Sequence, residues 1–241
     1  LYTNPTYQNP TGRALPLETR RALLALAARY RLPVVEDEPY RELGFAAPPP
    51  PTLRRLDEHA LVISLGTFSK TLAGGLRLGW LVAPAAIVDQ LAIVRQRADV
   101  FGAGLPQLVV AELLASGAYD RHLRGLRAEH ARRHAAMLAA IDRHVPSGDL
   151  ATAPVAGGLY LWARLGEGLD ARAVADRAAA NGVAVVPGVP FYADGAGRRD
   201  LRLCFAGVPS ETIGNGVERL ARAIAALRRE GGRAGQTLPL R

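Results

Sequence analysis

The spacing of apolar and polar positions divides the chain into a series of expected elements. In LETRRALLALAARYR (17–31), apolar residues fall at 23, 24, 26, 27 and 30, which makes one helical stripe. LPVVEDEPY follows, a short β-branched run ending in acids, and predicts a buried strand. ALVISLG (60–66) and LRLGWLVA (76–83) predict two more strands, and 85–99 and 106–116 predict helices. Strand, helix and strand alternate, which argues for an α/β layer with a largely parallel sheet. A long periodic helix is expected over 119–144. After VPSG the pattern changes. Gly157 and Gly158 open the strand LYLWARL, a helix at 170–181 leads to the strand VAVVPG, and the strand LRLCFAG precedes a last helix at 210–229. LYTNPTYQNPTG (1–12) and FAAPPPPTLRR read as loops, the second as a surface connection rather than a polyproline ligand. The expected organisation is an α/β region over 1–117, a long linking helix with a smaller α+β domain over 118–230, and a disordered tail over 231–241.

Composition narrows the class. The chain has 241 residues, 49% hydrophobic and 22% charged, an ordinary globular balance. It begins at Leu1 and its one methionine is Met137, so it is expected to be a piece of a longer product. No apolar run reaches membrane-spanning length and no signal peptide is visible, which makes a cytoplasmic location the expectation. The one cysteine, Cys204, lies in LRLCFA and is expected in the core, which leaves no intrachain disulfide and no thiol cluster for a metal. The net charge of +8 comes from arginines spread along helical stretches, and aromatics are only 6%, so nucleic-acid binding by this segment itself is not expected. His130 and His134 lie four apart on one helix face, but Ala131 stands where zinc proteases need glutamate; an exposed basic face is expected there.

Candidate chemistry changes the picture at one position. Lys70 is the chain's only lysine; the other 29 basic residues counted with it are arginine. Arginine keeps its proton at all accessible pH values, whereas a lysine with a lowered pKa supplies a neutral amine that adds to a carbonyl. Chance survival of one lysine would explain the count, but its neighbours argue otherwise. Thr67, Ser69 and Arg77 offer two hydroxyls and a permanent cation, and Gly66, Gly74 and Gly75 allow close backbone approach. These make a phosphate cradle without the GxxxxGK[ST] loop of nucleotide hydrolases. An imine-forming lysine beside a phosphate-monoester site suits a phosphorylated aldehyde, pyridoxal phosphate. Such a cofactor needs a carboxylate at its pyridine nitrogen, and Asp37 ends the strand PVVED. Tyr40 and Asn9 are both candidates for the ring phenolic oxygen. Arg202, an arginine within a buried-looking strand, is the candidate for a substrate carboxylate.

NPTG (9–12), DEPY (37–40), TFSK (67–70), GLRLGW (75–80), GGLYLW (157–162) and LRLCFA (201–206) occur in this order. Together they resemble the signature set of the fold-type I pyridoxal phosphate-dependent aminotransferases, class I/II, over about residues 4–229. The set is similar both to aminoadipate and aromatic amino-acid aminotransferases and to the aminotransferase-like domain of GntR-type regulators. The resemblance implies that 1–117 is the remainder of a large cofactor-binding domain. By the same resemblance Lys70 forms the internal aldimine, Asp37 pairs with the pyridine nitrogen and Tyr40 bonds the phenolic oxygen. Asn9 contacts that oxygen and the substrate carboxylate, Thr67, Ser69 and Arg77 hold the phosphate, and Arg202 binds the α-carboxylate. The implied activity is ping-pong transamination between an α-amino acid and a 2-oxo acid, catalysed by Lys70, Asp37 and Tyr40 in a homodimer to which 85–116 contribute. The other reading is the effector-sensing domain of a GntR-type regulator, with nucleic acid as a partner only through a winged helix. Decarboxylation or β-elimination is a third outcome of the same site. The family's N-terminal half, which carries further phosphate and ring contacts, precedes NPTG and is not in this sequence.

Overall fold

A computed structural model describes residues 1–234 of the chain. These residues form two compact units. The first comprises Leu1–Gln8, Arg13–Ala128 and Ala156–Gly158; the second comprises Asn9–Gly12, Glu129–Val155 and Leu159 onward. The division therefore runs through the long helix, eleven residues beyond the start expected at 118, and the NPTG tip groups with the second unit.

The first unit is built on a four-stranded sheet of β1 (Tyr2–Thr3), β2 (Val34–Asp37), β3 (Val62–Thr67) and β4 (Gly79–Val82), in that order. β1, β2 and β3 run parallel, with Asp37 beside Leu65, and β4 returns antiparallel, with Trp80 beside Gly66. α1 (Leu17–Tyr30) and α2 (Leu53–Leu56) precede β2 and β3. A small core of Ala27, Val34, Leu53 and Val62, flanked by Leu23, Leu24 and Leu61, is the inward face of this layer. Arg31 in the left-handed region ends α1, its N–H bonding back to Ala27 and Ala28. α3 (Ala85–Asp99) and α4 (Gly104–Ala115) follow, and the first part of α5 (Ala118–His144) closes the unit. β1 lies within the segment expected as a loop: two residues, one of them polar, carry no periodicity and are recruited by pairing with Val35 and Glu36.

The second unit carries an antiparallel sheet in the order β5 (Leu150–Thr152), β6 (Tyr160–Leu165), β8 (Asp200–Cys204), β7 (Val186–Pro187). α6 (Ala171–Ala180) packs beside β7 of this sheet, and α7 (Ser210–Ala234) packs against α6. Asp170 caps α6, its Oδ1 accepting from Arg172 N and Ala173 N at 2.9 and 3.0 Å. Leu161, Ala163, Leu201, Leu203, Phe205, Leu220 and Ile224 are almost fully buried, a large continuous apolar core. α7 extends four residues into the segment expected as a tail; the rest of that segment, 235–241, lies outside the described residues.

Two expectations are corrected here. His130 and His134 are buried, not an exposed basic face. They continue the inward stripe of Met137 and Ile141 at helical spacing and pack edge-on against Phe205. Burial lowers both pKa values, and His134 Nε2 accepts from Val155 N at 3.2 Å, which needs an unprotonated nitrogen there. Cys204 is exposed, not in the core. Odd positions 201, 203 and 205 face inward, so period-two alternation places Cys204 on the face of Arg202. Among the described residues no helix is long and apolar enough to cross a membrane, and no group of acidic, His or Cys side chains could hold a metal.

Candidate active site

β2 and β3 are parallel neighbours, so their carboxyl ends share one edge of the first sheet. Asp37 is the last residue of β2, and buried Tyr40 follows three residues later at the start of a 3₁₀ turn. Thr67 is the last residue of β3, and Ser69 and Lys70 lie in the turn after it. Five of the candidate residues therefore come from one edge, the edge where open α/β sheets bind ligands. Lys70 is exposed and makes no hydrogen bond or ion pair among the described residues. Thr67 Oγ1 donates to Leu78 O at 3.3 Å and accepts from Ser69 N at 3.1 Å, which fixes the turn ahead of the lysine. Arg77 closes the 3₁₀ turn Gly74–Leu76 in the left-handed region, φ 50°, with an exposed guanidinium near Gly74 O. A Cβ on Gly75 would meet nothing within 4 Å among the described residues. Gly66 differs: a Cβ there would lie 2.1 Å from Trp80, so its bareness seats the cross-strand indole.

The other two candidates belong to the second unit. Asn9 Oδ1 accepts from Arg202 Nη1 at 2.8 Å, although 193 residues separate them. Gly12, at φ +68°, packs the NPTG tip: a Cβ would meet Val155 at 2.6 Å and Tyr160 O at 2.7 Å. Arg202 is half-buried, and its Nε is buried without a hydrogen-bond partner.

Residues 3–220 match the family Aminotransferase class I and II. The chain belongs to that family. It is 42% identical to a 2-aminoadipate transaminase of Thermus thermophilus, covering 94% of this chain and 57% of that protein. It is 38% identical to an aromatic-amino-acid aminotransferase of Thermococcus litoralis, over 93% of this chain and 54% of that one. An uncharacterized HTH-type transcriptional regulator of Bacillus subtilis is 32% identical over 92% of this chain and 45% of its own length. The chain thus spans about half the length of the curated relatives it matches. Among solved structures, the α-aminoadipate aminotransferase of Thermus thermophilus, complexed with N-(5'-phosphopyridoxyl)-L-leucine, superposes with TM-score 0.89 at 40% identity, over 95% of this chain and 59% of that one. The fold of this aminotransferase-family chain is fold type I, as the motif resemblance implied.

Several supporting side chains of this aminotransferase-family chain escaped the motif reading. Tyr2 hydroxyl donates to Asp37 Oδ2 at 2.5 Å, and that bond, with burial and the carboxylate charge, pushes the phenol up to about 12. The turn after Lys70 is tied to the start of α5. Tyr119 hydroxyl bonds Thr71 Oγ1 at 3.0 Å, and His122 Nε2 lies 2.7 Å from Thr71 O. The Tyr119 ring also meets Phe68 edge-on at 5.8 Å. Behind Asp37, Glu36 and Glu38 point to the other side of the strand into a buried polar cluster with Arg20. No local pattern marks these residues, because their partners are not neighbours in sequence; for Tyr119 and Thr71 the separation is 48.

Proposed function

We propose that the protein is a pyridoxal phosphate-dependent aminotransferase that moves an amino group from an α-amino acid to a 2-oxo acid. The observation that carries this reading is the position of the chain's one lysine beside Asp37's edge of the parallel pair β2–β3. The residues present fit the cofactor. Lys70 offers an exposed amine with no hydrogen-bond or ion-pair partner among the described residues, Thr67 and Ser69 offer hydroxyls, and Arg77 holds an exposed cation on a left-handed turn. Arg202 keeps a buried, unpaired Nε that no group of the described residues explains.

When bound, pyridoxal phosphate supplies an aldehyde that bonds amines and a ring that accepts electron density from the substrate Cα. Lys70 Nζ is the amine that would hold this aldehyde, and as a free amine it would serve as the general base that takes the proton from the substrate Cα. Asp37 is the carboxylate that would face the ring nitrogen and favour its protonated form, and the Tyr2 hydroxyl keeps that carboxylate in place. Tyr40 and Asn9 orient the phenolic oxygen. Thr67, Ser69 and Arg77 grip the phosphate with charge-assisted bonds. Arg202 pairs its planar fork with the substrate α-carboxylate. The working form we propose is a homodimer, a reading supported by the apolar side chains exposed from α3 to α4, with Phe101 80%, Leu105 73% and Leu108 71% exposed.

Borohydride reduction of the complete protein with pyridoxal phosphate, followed by peptide mass mapping, is expected to place a pyridoxyl group on Lys70. Lys70→Ala is expected to lose this adduct and to cut oxo-acid release by roughly 10²–10⁴-fold. A Lys70→Ala protein with undiminished transaminase turnover would falsify the assignment. The similarity to transcriptional regulators favours one second reading, an effector domain that binds the same cofactor and amino acid without turnover. A reduced adduct at Lys70 with no oxo acid from any amino acid in a panel selects that reading.

A further inference from the structure

In the antiparallel pairing of β6 and β8, Arg202 lies directly opposite Trp162 and next to the Tyr160–Cys204 pair. Tyr160, Trp162 and Arg202 share the face of this sheet turned away from the Leu161, Leu201 and Leu203 core. The Arg202 guanidinium carbon stands 4.5 Å from the Tyr160 ring centroid and 5.2 Å from that of Phe191. Phe191 is itself held: its ring meets Trp162 edge-on at 5.6 Å and 89°. The short helical turn Val189–Phe191 that carries it is docked on β8 through Gly188 N, which bonds Asp200 O at 2.7 Å. A Cβ on Gly188 would lie 2.7 Å from both the Asp200 side chain and Gly197 O, so only glycine allows that approach. Tyr192 hydroxyl adds a 2.7 Å bond to Asp200 Oδ2 at the same point.

An arginine has five donors. Here Asn9 takes one at Nη1, Nε is enclosed and unpaired, and among the described residues no acceptor meets the rest. Acidic partners, the usual means of fixing a buried arginine, are absent among the described residues around Arg202. Aromatic faces do the fixing instead, through attraction between cation and ring that leaves the N–H edge unspent. A carboxylate partner would have held the guanidinium equally well and blocked the ligand.

We propose that Tyr160 and Phe191 are positioning residues that orient the Arg202 guanidinium, so that its free donors meet a substrate carboxylate without an internal acid competing for them. This rests on the aminotransferase reading and deepens it. The two rings set substrate affinity and leave the proton transfer at Lys70 untouched.

The test uses the complete protein with its cofactor and two readouts. One is KM and kcat for the amino acid the wild type turns over best. The other is the dissociation constant of that substrate's deaminated carboxylic acid, an unreactive probe, by calorimetry. Tyr160→Leu and Phe191→Leu are each expected to raise KM and the probe's Kd about tenfold with kcat within about threefold. Tyr160→Phe keeps the ring and is expected to restore both constants. Arg202→Lys, which loses the fork, is expected to weaken the probe about a hundredfold. Leucine variants with unchanged KM and Kd overturn the inference, as does a fall in kcat at constant KM, or a Tyr160→Phe protein as weak as Tyr160→Leu. If Arg202→Lys binds the probe like wild type, the carboxylate assignment itself falls, and this inference with it. Loss of only the leucine effects leaves the aminotransferase reading standing.

Discussion

The two units bury opposite kinds of side chain. The second unit encloses a broad apolar core in which its buried histidines are kept neutral. The first has a small apolar core and spends its interior on a charged cluster. There Arg20, fully buried, donates to Pro5 O, Leu15 O, Pro51 O and Thr6 Oγ1, and lies 3.8 and 3.6 Å from Glu36 and Glu38. Glu36 in turn accepts from Leu53 N and Arg54 N at the start of α2. The first unit also leaves apolar surface outside, on β4, α3 and α4. In the first unit the candidate residues Asp37 and Thr67 are fixed by hydrogen bonds, which are directional as apolar contacts are not. In the second unit the directional bond among candidate site residues is the one between Arg202 and Asn9, and the rest is held by packing.

The largest effect expected from breaking this contrast lies in the apolar unit. Phe205→Ala removes a ring buried between His130 and His134, and should lower stability by about 3–5 kcal/mol in denaturant unfolding. A loss below about 1 kcal/mol would show that the second core is far looser than its burial implies. Arg20→Met should cost the first unit about 3 kcal/mol, because it removes the buried cation beside Glu36 and Glu38 and leaves their charge in a dry site to backbone N–H groups, Thr6 and Arg41. Glu38 gives this loss a pH dependence. Burial, with Glu36 beside it, raises its carboxyl to about 7 against the pull of Thr6, Arg41 and Arg20. Removing Arg20 should therefore hurt less at pH 5, where Glu38 takes a proton, than at pH 8.

pH alone should separate the units. Folded Glu38 keeps its proton up to about 7 while the unfolded chain releases it near 4.5, so the folded form binds more protons between those values. The first unit's stability should fall as pH rises through that window, by on the order of a few kcal/mol at most. His130 and His134 behave oppositely. Burial lowers both, so below about 6.5 the unfolded chain binds more protons and the second unit should weaken as pH falls. Hydrogen exchange resolved by residue at pH 5.5 and 7 is the measurement. Both units moving in the same direction would remove the contrast.

How much of this was legible depended on whether the determining partner lay nearby in sequence. α1, β2, β3, α3, α5, β6 and α7 follow apolar periodicity that a single element carries within itself. Lys70, Asp37 and Arg202 stood out because each is the wrong residue for its surroundings: a lysine among arginines, and charged groups on apolar strands. β1 and β7, two residues each, are defined only by the strands they pair with. Arg20 resembled the other arginines of α1 until its partners at Pro5 and Pro51 were placed around it. Cys204 departs from a core position because an apolar run in a strand is not uniformly buried: alternation separates the face of Leu203 from the face of Arg202 and Cys204.

The smallest expected effect probes what the first unit leaves outside. Phe101, 80% exposed just after α3, has almost no contact area to lose within its own unit. Phe101→Ser should change the stability of the isolated protomer by no more than about 0.5 kcal/mol. If α3 and α4 face a second copy in the proposed homodimer, the same substitution removes an aromatic anchor from the contact and should weaken association about tenfold or more. Sedimentation across a concentration series separates these quantities, since thermal unfolding of dilute protomer reports the first and the dimer dissociation constant the second. A variant that dimerises like wild type would place Phe101 outside the contact. One that loses protomer stability by several kcal/mol would mean that its ring is covered from within, and the contrast between an outwardly apolar first unit and an inwardly apolar second would fail at its most exposed residue.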